Sequence, residues 1–400
     1  MAGCSTPCSL SVASCSAPSS ILYLLDTHPR PSETFIQREI DALRRRGWAI
    51  DVASLRGAAA LPARGTAADF AALAPAMLRH ALPVIGREPG LLPRLLRHLP
   101  QAAALAGRAR ASGARLLHAH FAWLPADLAL LVARRLGIPF TCSVHAWDVF
   151  AQPPSATRRR LLPAVAAVAC SQAAADVVRR SGIPSGRVHL VRHGLPLAEF
   201  PFVPAAADGR LLAVGRLEAK KGFDLLPALC AHLRAAGAAH TCHIVGEGPE
   251  RPRIARLAAR CGVADAVTFA GALPPAAVRD AMRAASVLLL PSRRMPDGDR
   301  DGVANVLVEA MALGLPVATT TAGAAGELVR DGANGRLVPP GDPAALAATV
   351  APLLHDPAAR ARLAAAGRAT VEAEYDEDRN VEQLARAFRE SVGQGRTAAV

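Results

Sequence analysis

Aromatic side chains are scarce in this chain of 400 residues, at 4%, so Ala, Val and Leu must build most of its interior. The aromatic-rich basic motif with which sheets stack RNA bases is missing. No run of five or more basic residues occurs, and the densest patches are Arg44-Arg45-Arg46 and Arg158-Arg159-Arg160. Nucleic acid is therefore not an expected partner. The formal net charge of +13 suits an anionic membrane surface or phosphorylated substrates. No uncharged apolar run is long enough to span a bilayer. Residues 1–19 lack the basic start and continuous apolar stretch of a secretory signal and read as a disordered tail. The cysteines form no C-x-x-C pair and have no His at ligand spacing, which excludes a zinc ribbon. They read as small buried hydrophobes in a reducing compartment. The expected location is the cytoplasm, with peripheral contact at the inner face of the membrane as the furthest extension.

What is present is a large apolar fraction, 51%, which excludes wholesale disorder. The length exceeds what one core holds and suits two domains. Short β-like apolar runs alternate with amphipathic stretches, the pattern of parallel sheets covered by helices on both faces. Strands are expected at Ile21–Leu25, Trp48–Ser54, Arg115–His118, Phe140–Val144, Val165–Ala169 and Val188–Val191. The pattern breaks over 199–209, rich in Pro, small residues and Gly, which marks a linker. It resumes with strands at Leu211–Val214, Thr241–Val245, Val267–Ala270, Val287–Leu290 and Val317–Thr319. The division is 20–200, 208–375 and a C-terminal helix and tail over 376–400, whose packing partner the sequence leaves open. In the segment 67–112, Leu91, Leu92, Leu95, Leu96 and Leu99 recur at helical spacing with Arg94 and Arg97 between them. This reads as a packed helix or as a basic amphipathic surface that touches acidic lipid.

The densest chemistry lies in DGDRDGVANVLVEAMALGLP, 297–316. Asp301 and Glu309 are eight positions apart, a rise of about 12 Å along a helix. That is too wide for an acid/base pair on one bond, and it fits two hydroxyl-rich groups with phosphates between them. The free N–H groups where the helix opens suit an anion. The D-x-D of Asp297 and Asp299 can hold a metal beside a diphosphate; Arg294 and Arg300 nearby favour local charge balancing instead. In LLAVGRLEAKKGFDLL, 211–226, a strand, a turn, cations and a helix start follow one another. Arg216 and Lys221 would neutralise a diphosphate there, and Asp224 is placed to cap the helix. VGEGP at 245–249 allows close backbone approach or makes a plain turn, and it is not G-x-G-x-x-G. His145 and Asp148 follow one strand, and His118 and His120 end another. Ser32 and Glu33 stand at a helix start, with Ser32 as its cap.

Taken together, SETFI, HAHFAWLPAD, HAWD, VGRLEAKKGFD, VGEGP, DGDRDGVANVLVEAMALGLPV and NGRLVPPGDP resemble glycosyltransferase family 4, over about residues 20–375. Seven such segments in order and spacing are specific. The similarity is closest to the branch that builds exopolysaccharide, colanic-acid-like capsule or lipopolysaccharide. It implies the GT-B fold, two Rossmann-like α/β domains facing across a cleft. It implies retaining transfer from a UDP- or GDP-sugar to a saccharide or polyprenyl-linked saccharide acceptor, with no metal or other cofactor. By the same resemblance Arg216 and Lys221 bind the donor diphosphate, Asp301 the donor sugar and Glu309 the ribose. Gly302, Val303, Ala304 and Asn305 offer N–H groups, His145 sits at the reacting centre, and Glu247 and Gly248 line the nucleotide pocket. Glu33, His120 and Asp148 belong to the acceptor side. Asp301 departs from the family's usual Glu and is one methylene shorter, which bears on the choice of sugar. The competing readings are a GT-B epimerase or phosphorylase and a non-catalytic sugar-nucleotide-binding scaffold.

Overall fold

The structure is a computed structural model and describes residues 20–30, 33–64, 66–206 and 208–397. The expected tail 1–19 and the expected cap Ser32 lie outside the described residues. Two parallel six-stranded sheets form, each wrapped by helices. The first holds β1 (Ile21–Thr27), β2 (Ile50–Arg56), β3 (Leu116–His120), β4 (Phe140–Val144), β5 (Ala166–Ala169) and β6 (Val188–Leu190). Its order is β2-β1-β3-β4-β5-β6, so the winding reverses between β1 and β3. The second holds β7 (Arg210–Val214), β8 (Thr241–Val245), β9 (Val267–Gly271), β10 (Val287–Leu290), β11 (Val317–Thr320) and β12 (Arg336–Val338). Its order is β12-β11-β10-β7-β8-β9, with the reversal between β7 and β10. Both are doubly wound sheets, and such sheets bind ligands beyond the carboxyl ends of their strands where the order reverses.

Helices cover both faces of the sheets, so strand positions are buried whether apolar, as in β10, or partly polar, as at Thr141 and Ser143 of β4. β4 and β10 are buried at every position. Separate cores result, one around each sheet. A further cluster on the first sheet is completed by the chain's last helix, Glu377–Thr397, through Val381, Leu384, Ala385 and Phe388. Phe388 is fully buried, with its ring 4.9 Å from His118 and 6.2 Å from Trp48. The C-terminal helix therefore crosses back and finishes the core of the first domain.

The same crossing consumes basic charge. Arg45 and Arg46 pair with Glu377 and Asp378 of that helix. In the other basic patch, Arg159 and Arg160 are buried against Asp127 and Glu88. Neither cluster is the open basic surface its sequence outlines. The Leu/Arg segment forms two helices, Ala67–Ala81 and Leu91–Ala111. Leu91 and Leu95 are buried and Leu92 and Leu99 pack partly against the core, so the stripe is mainly interior. Leu96 alone of the five is exposed, at 51%.

Candidate functional site

The winding of the second sheet reverses between β7 and β10, and the loops that follow these two strands carry the expected donor residues. After β7 the chain makes a 3-10 turn over Ala219–Lys221 and then a left-handed Gly222, φ +69°. A Cβ at Gly222 would meet the Pro291 carbonyl oxygen at 1.9 Å, so only glycine lets this loop lie against the one after β10. That contact brings Lys221 Nζ to 2.9 Å from both Asp301 carboxylate oxygens. The Ser292 hydroxyl donates to Asp301 Oδ2 at 2.7 Å. Burial alone would raise the Asp301 carboxyl; Lys221, Ser292 and Lys220 hold it below the usual carboxylate range. Lys220 takes Asp299 at 3.0 Å, and Asp297 accepts from the Asp299 N–H. The D-x-D is thus spent on local charge balance and loop shape.

Gly302, Val303, Ala304 and Asn305 follow directly. The helix Asn305–Leu313 opens at Ala304 without a side-chain cap, which leaves its first N–H groups for a ligand. Glu309 sits one turn further along. Its carboxylate is not solvated: Arg38 Nη2, from the helix Thr34–Arg45 of the first domain, donates to it at 2.9 Å. A second contact between the domains joins His193 Nδ1 and Asn305 Oδ1 at 3.2 Å. Asp224 does not cap the following helix; it pairs with Arg293 and Arg253.

The facing wall comes from the first sheet. His145 directly follows β4 and opens the short helix Ala146–Phe150. The Asp148 carboxylate accepts from the His145 N–H at 2.8 Å, in the spacing of a capping box. Asp148 Oδ2 also accepts from Ala122 N–H at 2.5 Å. Asp148 is wholly buried, and that burial pushes its carboxyl up to about 7 against these hydrogen bonds. It brackets two backbone segments and does not line the cleft between the two walls. His120 does not line the cleft either. It is fully buried, with Nδ1 3.2 Å from His145 Nε2 and Nε2 3.2 Å from Glu39 Oε1. Tyr23 donates to the same Glu39 oxygen at 2.8 Å. His145, His120 and Glu39 thus form one continuous hydrogen-bonded chain behind the cleft. Against burial, the neighbouring His120 and His118 and the Tyr23 hydroxyl bring Glu39 down to about 2. His145 lies well below its ordinary value, first through burial and then through His193 and His120, so it is neutral.

These two walls enclose a cleft of about 510 Å³, a size that suits a small-molecule ligand. Arg216, Lys221, Asp301, Gly302 through Asn305 and Glu309 line one side, and Glu33, Phe35, Arg38, His145, Trp147 and His193 the other. Glu33 occupies the helix N-cap position without capping, and pairs with Arg30. Glu247 and Gly248 are not among the lining residues. Glu247 pairs with Arg251, and Gly248 is packed against Leu217, where a Cβ would meet its carbonyl oxygen at 2.5 Å. VGEGP here is a turn that fits one loop against another. Arg38, Glu39, Trp147 and His193 were not singled out by the sequence. For Arg38 and Glu39 the available signal was the polar face of the SETFI helix.

Among the described residues two side-chain groups have the composition of a metal site, His145 with Cys170 and His193, and Glu39 with His118 and His120. Their fit is poor. His145 Nε2 faces His120, His193 Nδ1 faces Asn305, and His118 is bonded to Thr141 and Ser143.

A family model described as Glycosyltransferase Family 4 matches residues 32–199, and one described as Glycosyl transferases group 1 matches 201–370. The putative colanic acid biosynthesis glycosyltransferase WcaL of Salmonella typhimurium is 34% identical over 177 residues, 44% of this chain and 44% of its own length. The D-inositol 3-phosphate glycosyltransferase of Acidothermus cellulolyticus is 30% identical over 320 residues, 71% of this chain and 69% of its own length. The chain spans about half the length of the first curated relatives it matches. The crystal structure of Anabaena HepE in complex with UDP superimposes with a TM-score of 0.72 at 19% identity, covering 93% of this chain and 100% of that one. The fold is GT-B. No described helix is long and apolar enough to cross a membrane.

Proposed function

The chain belongs to glycosyltransferase family 4, and from that premise we propose that it transfers a sugar, with retention, from a nucleotide-sugar to a saccharide or lipid-linked saccharide of a cell-surface polysaccharide. The observation that carries this reading is the grouping at the reversal of the second sheet. Lys221, Asp301, an uncapped helix start and Glu309 share one cleft with His145 opposite. A nucleoside diphosphate sugar matches that order of groups: diphosphate at Lys221, Arg216 and the N–H groups, ribose at Glu309, sugar hydroxyls at Asp301. Colanic acid and amylovoran glycosyltransferases among the relatives support an exopolysaccharide acceptor.

In this mechanism the bond from the anomeric carbon to the diphosphate oxygen breaks as the acceptor oxygen bonds on the same face. The acceptor's proton passes to a diphosphate oxygen. Lys221 and Arg216 stabilise the charge that develops on the leaving group. Lys221 has N–H capacity beyond Asp301, which orients it before the donor arrives. Closure of the two walls keeps water from the donor. The reaction runs without a metal, a reading supported by the engagement of Asp297 and Asp299 elsewhere.

The test is donor turnover by the full chain with EDTA present, with the anomeric proton of the product followed by NMR. Unchanged turnover and a retained configuration are expected. Loss of turnover with EDTA, restored by a divalent cation, would contradict the metal-free reading; an inverted product would contradict the mechanism.

Peripheral contact with the inner face of the membrane has its own observation. Leu78, Leu82, Ile85 and Leu96 are 41–52% exposed on two helices that pack together and on the turn between them. Arg79, Arg87 and Arg97 stand among them. Salt-sensitive binding to anionic vesicles is expected, and its absence at low salt would end the idea.

A further inference from the structure

A second cavity of about 520 Å³ lies at the carboxyl ends of β1 and β2 in the first domain, beside the reversal between β1 and β3. Asp26 and Arg56 come from those strand ends, Arg94, Arg97 and His98 from the helix Leu91–Ala111, and Trp123 from the turn after β3. Its charge is unbalanced. Arg56 is paired with Asp26, and Arg94 reaches Asp127 only at 3.9 Å, an acid already shared with Arg159 and Arg160. Arg97 is exposed and in no ion pair among the described residues. Burial lowers the Arg94 guanidinium, and Arg160 and Arg159 lower it further against Asp127, so an added anion would be stabilised beside it. The cavity also adjoins the donor cleft. Trp123 lines the one and Trp147 the other, and their rings meet edge to face at 6.0 Å. With Trp123 packed against the core and Trp147 exposed, the Trp147 face is a surface on which a sugar ring can lie at the step between the two cavities.

We propose that this basic cavity is the subsite for an anionic group of the acceptor, which therefore carries a phosphate or carboxylate set back from the hydroxyl that receives the sugar. The inference rests on the transferase reading and adds the acceptor's charge to it. Arg94 and Arg97, one helical turn apart, offer planar forks that match an oxyanion. The tryptophan pair spans the step from that anion to the cleft.

The experiment uses the full chain carrying Lys221→Ala and Asp301→Asn, which removes the donor cation and its buried partner together. Inorganic pyrophosphate and glucuronate are titrated separately by calorimetry, and again after adding Arg97→Glu. At least one anion should bind, with a dissociation constant raised tenfold or more by Arg97→Glu. Tighter pyrophosphate assigns a phosphoryl group, tighter glucuronate a carboxylate. Binding of neither, or binding that Arg97→Glu leaves unchanged, overturns the proposal. Nucleotide-sugar binding is measured alongside on wild type and on Arg97→Glu alone, and should be equal. If wild type binds no nucleotide-sugar, the transferase reading fails while the anion result stands separately.

Discussion

Arg38 and Glu309 are 271 positions apart in sequence, and Arg38 Nη2 donates to Glu309 Oε1 at 2.9 Å across the cleft. Both side chains are only 16–17% exposed. The carboxylate proposed to hold the donor ribose is therefore occupied by the opposite domain until a donor arrives. Donor binding must exchange this ion pair for ribose hydrogen bonds, and the pair acts as a competitor.

Removing the competitor should help the nucleotide. Arg38→Met is expected to tighten nucleotide binding by a few-fold, on the order of 1 kcal/mol, whereas Glu309→Gln should weaken it about tenfold. Titration calorimetry at low and high salt checks both. Weaker binding in Arg38→Met would mean that Arg38 is a donor ligand and not a competitor.

Lys221 and Asp301 form a pair with 12–14% side-chain exposure. Lys221→Ala should lower turnover by orders of magnitude and also lower stability by about 3 kcal/mol, because it strands a buried carboxylate. Adding Asp301→Asn should return most of the stability and none of the turnover. Arg216→Ala should cost little stability, since Arg216 is 43% exposed. Denaturant melts and donor turnover on the four proteins separate the two roles. Turnover near wild type in Lys221→Ala would remove the diphosphate assignment.

The histidines behind the cleft make stability depend on pH. Burial takes His118 to about 3, His193 to about 4 and His145 well below its ordinary 6.5. Each folded value is below the unfolded one, so between about pH 4 and 6.5 the unfolded chain binds more protons and stability falls as pH drops. Asp148, raised to about 7 from 3.8, acts in the opposite sense and costs stability as pH rises through 7. Three histidines outweigh one aspartate below 6.5, at roughly 1.4 kcal/mol per proton per pH unit. The melting temperature should peak near pH 6.5–7 and fall steeply by pH 5. A flat profile across that range would contradict the neutral-histidine network.

The sheets were legible because their strands are short apolar runs set off by Gly and Pro. The expected bounds of Phe140–Val144, Thr241–Val245 and Val287–Leu290 coincide with β4, β8 and β10. β12, Arg336–Val338, was missed: three residues at a sheet edge, one of them Arg, give no periodicity. Local motifs placed Lys221, Asp301 and the helix start together. Pairings over long separations, Arg38 with Glu309 or Glu39 with His120, have no local signal, since each partner reads as an ordinary polar residue on its own element. Asp148 shows the opposite limit, because H-x-x-D reads the same in sequence whether its acid caps a helix or faces a ligand.

The last helix shows the same limit. Its apolar stripe is visible in sequence, and its partner is not. Phe388→Ala should destabilise the first domain by about 3–5 kcal/mol while sparing the second, so that unfolding loses cooperativity. Two-probe denaturation tests this, and a wild-type profile would show that the C-terminal helix is not part of that core.

The most direct test of the central claim is donor binding and slow hydrolysis across UDP-, GDP- and ADP-sugars, with Glu309→Ala and Lys221→Ala as controls. The account expects one nucleotide-sugar to be bound and slowly hydrolysed by wild type and lost in both variants. Binding of none of them, or binding that both variants retain, would contradict it.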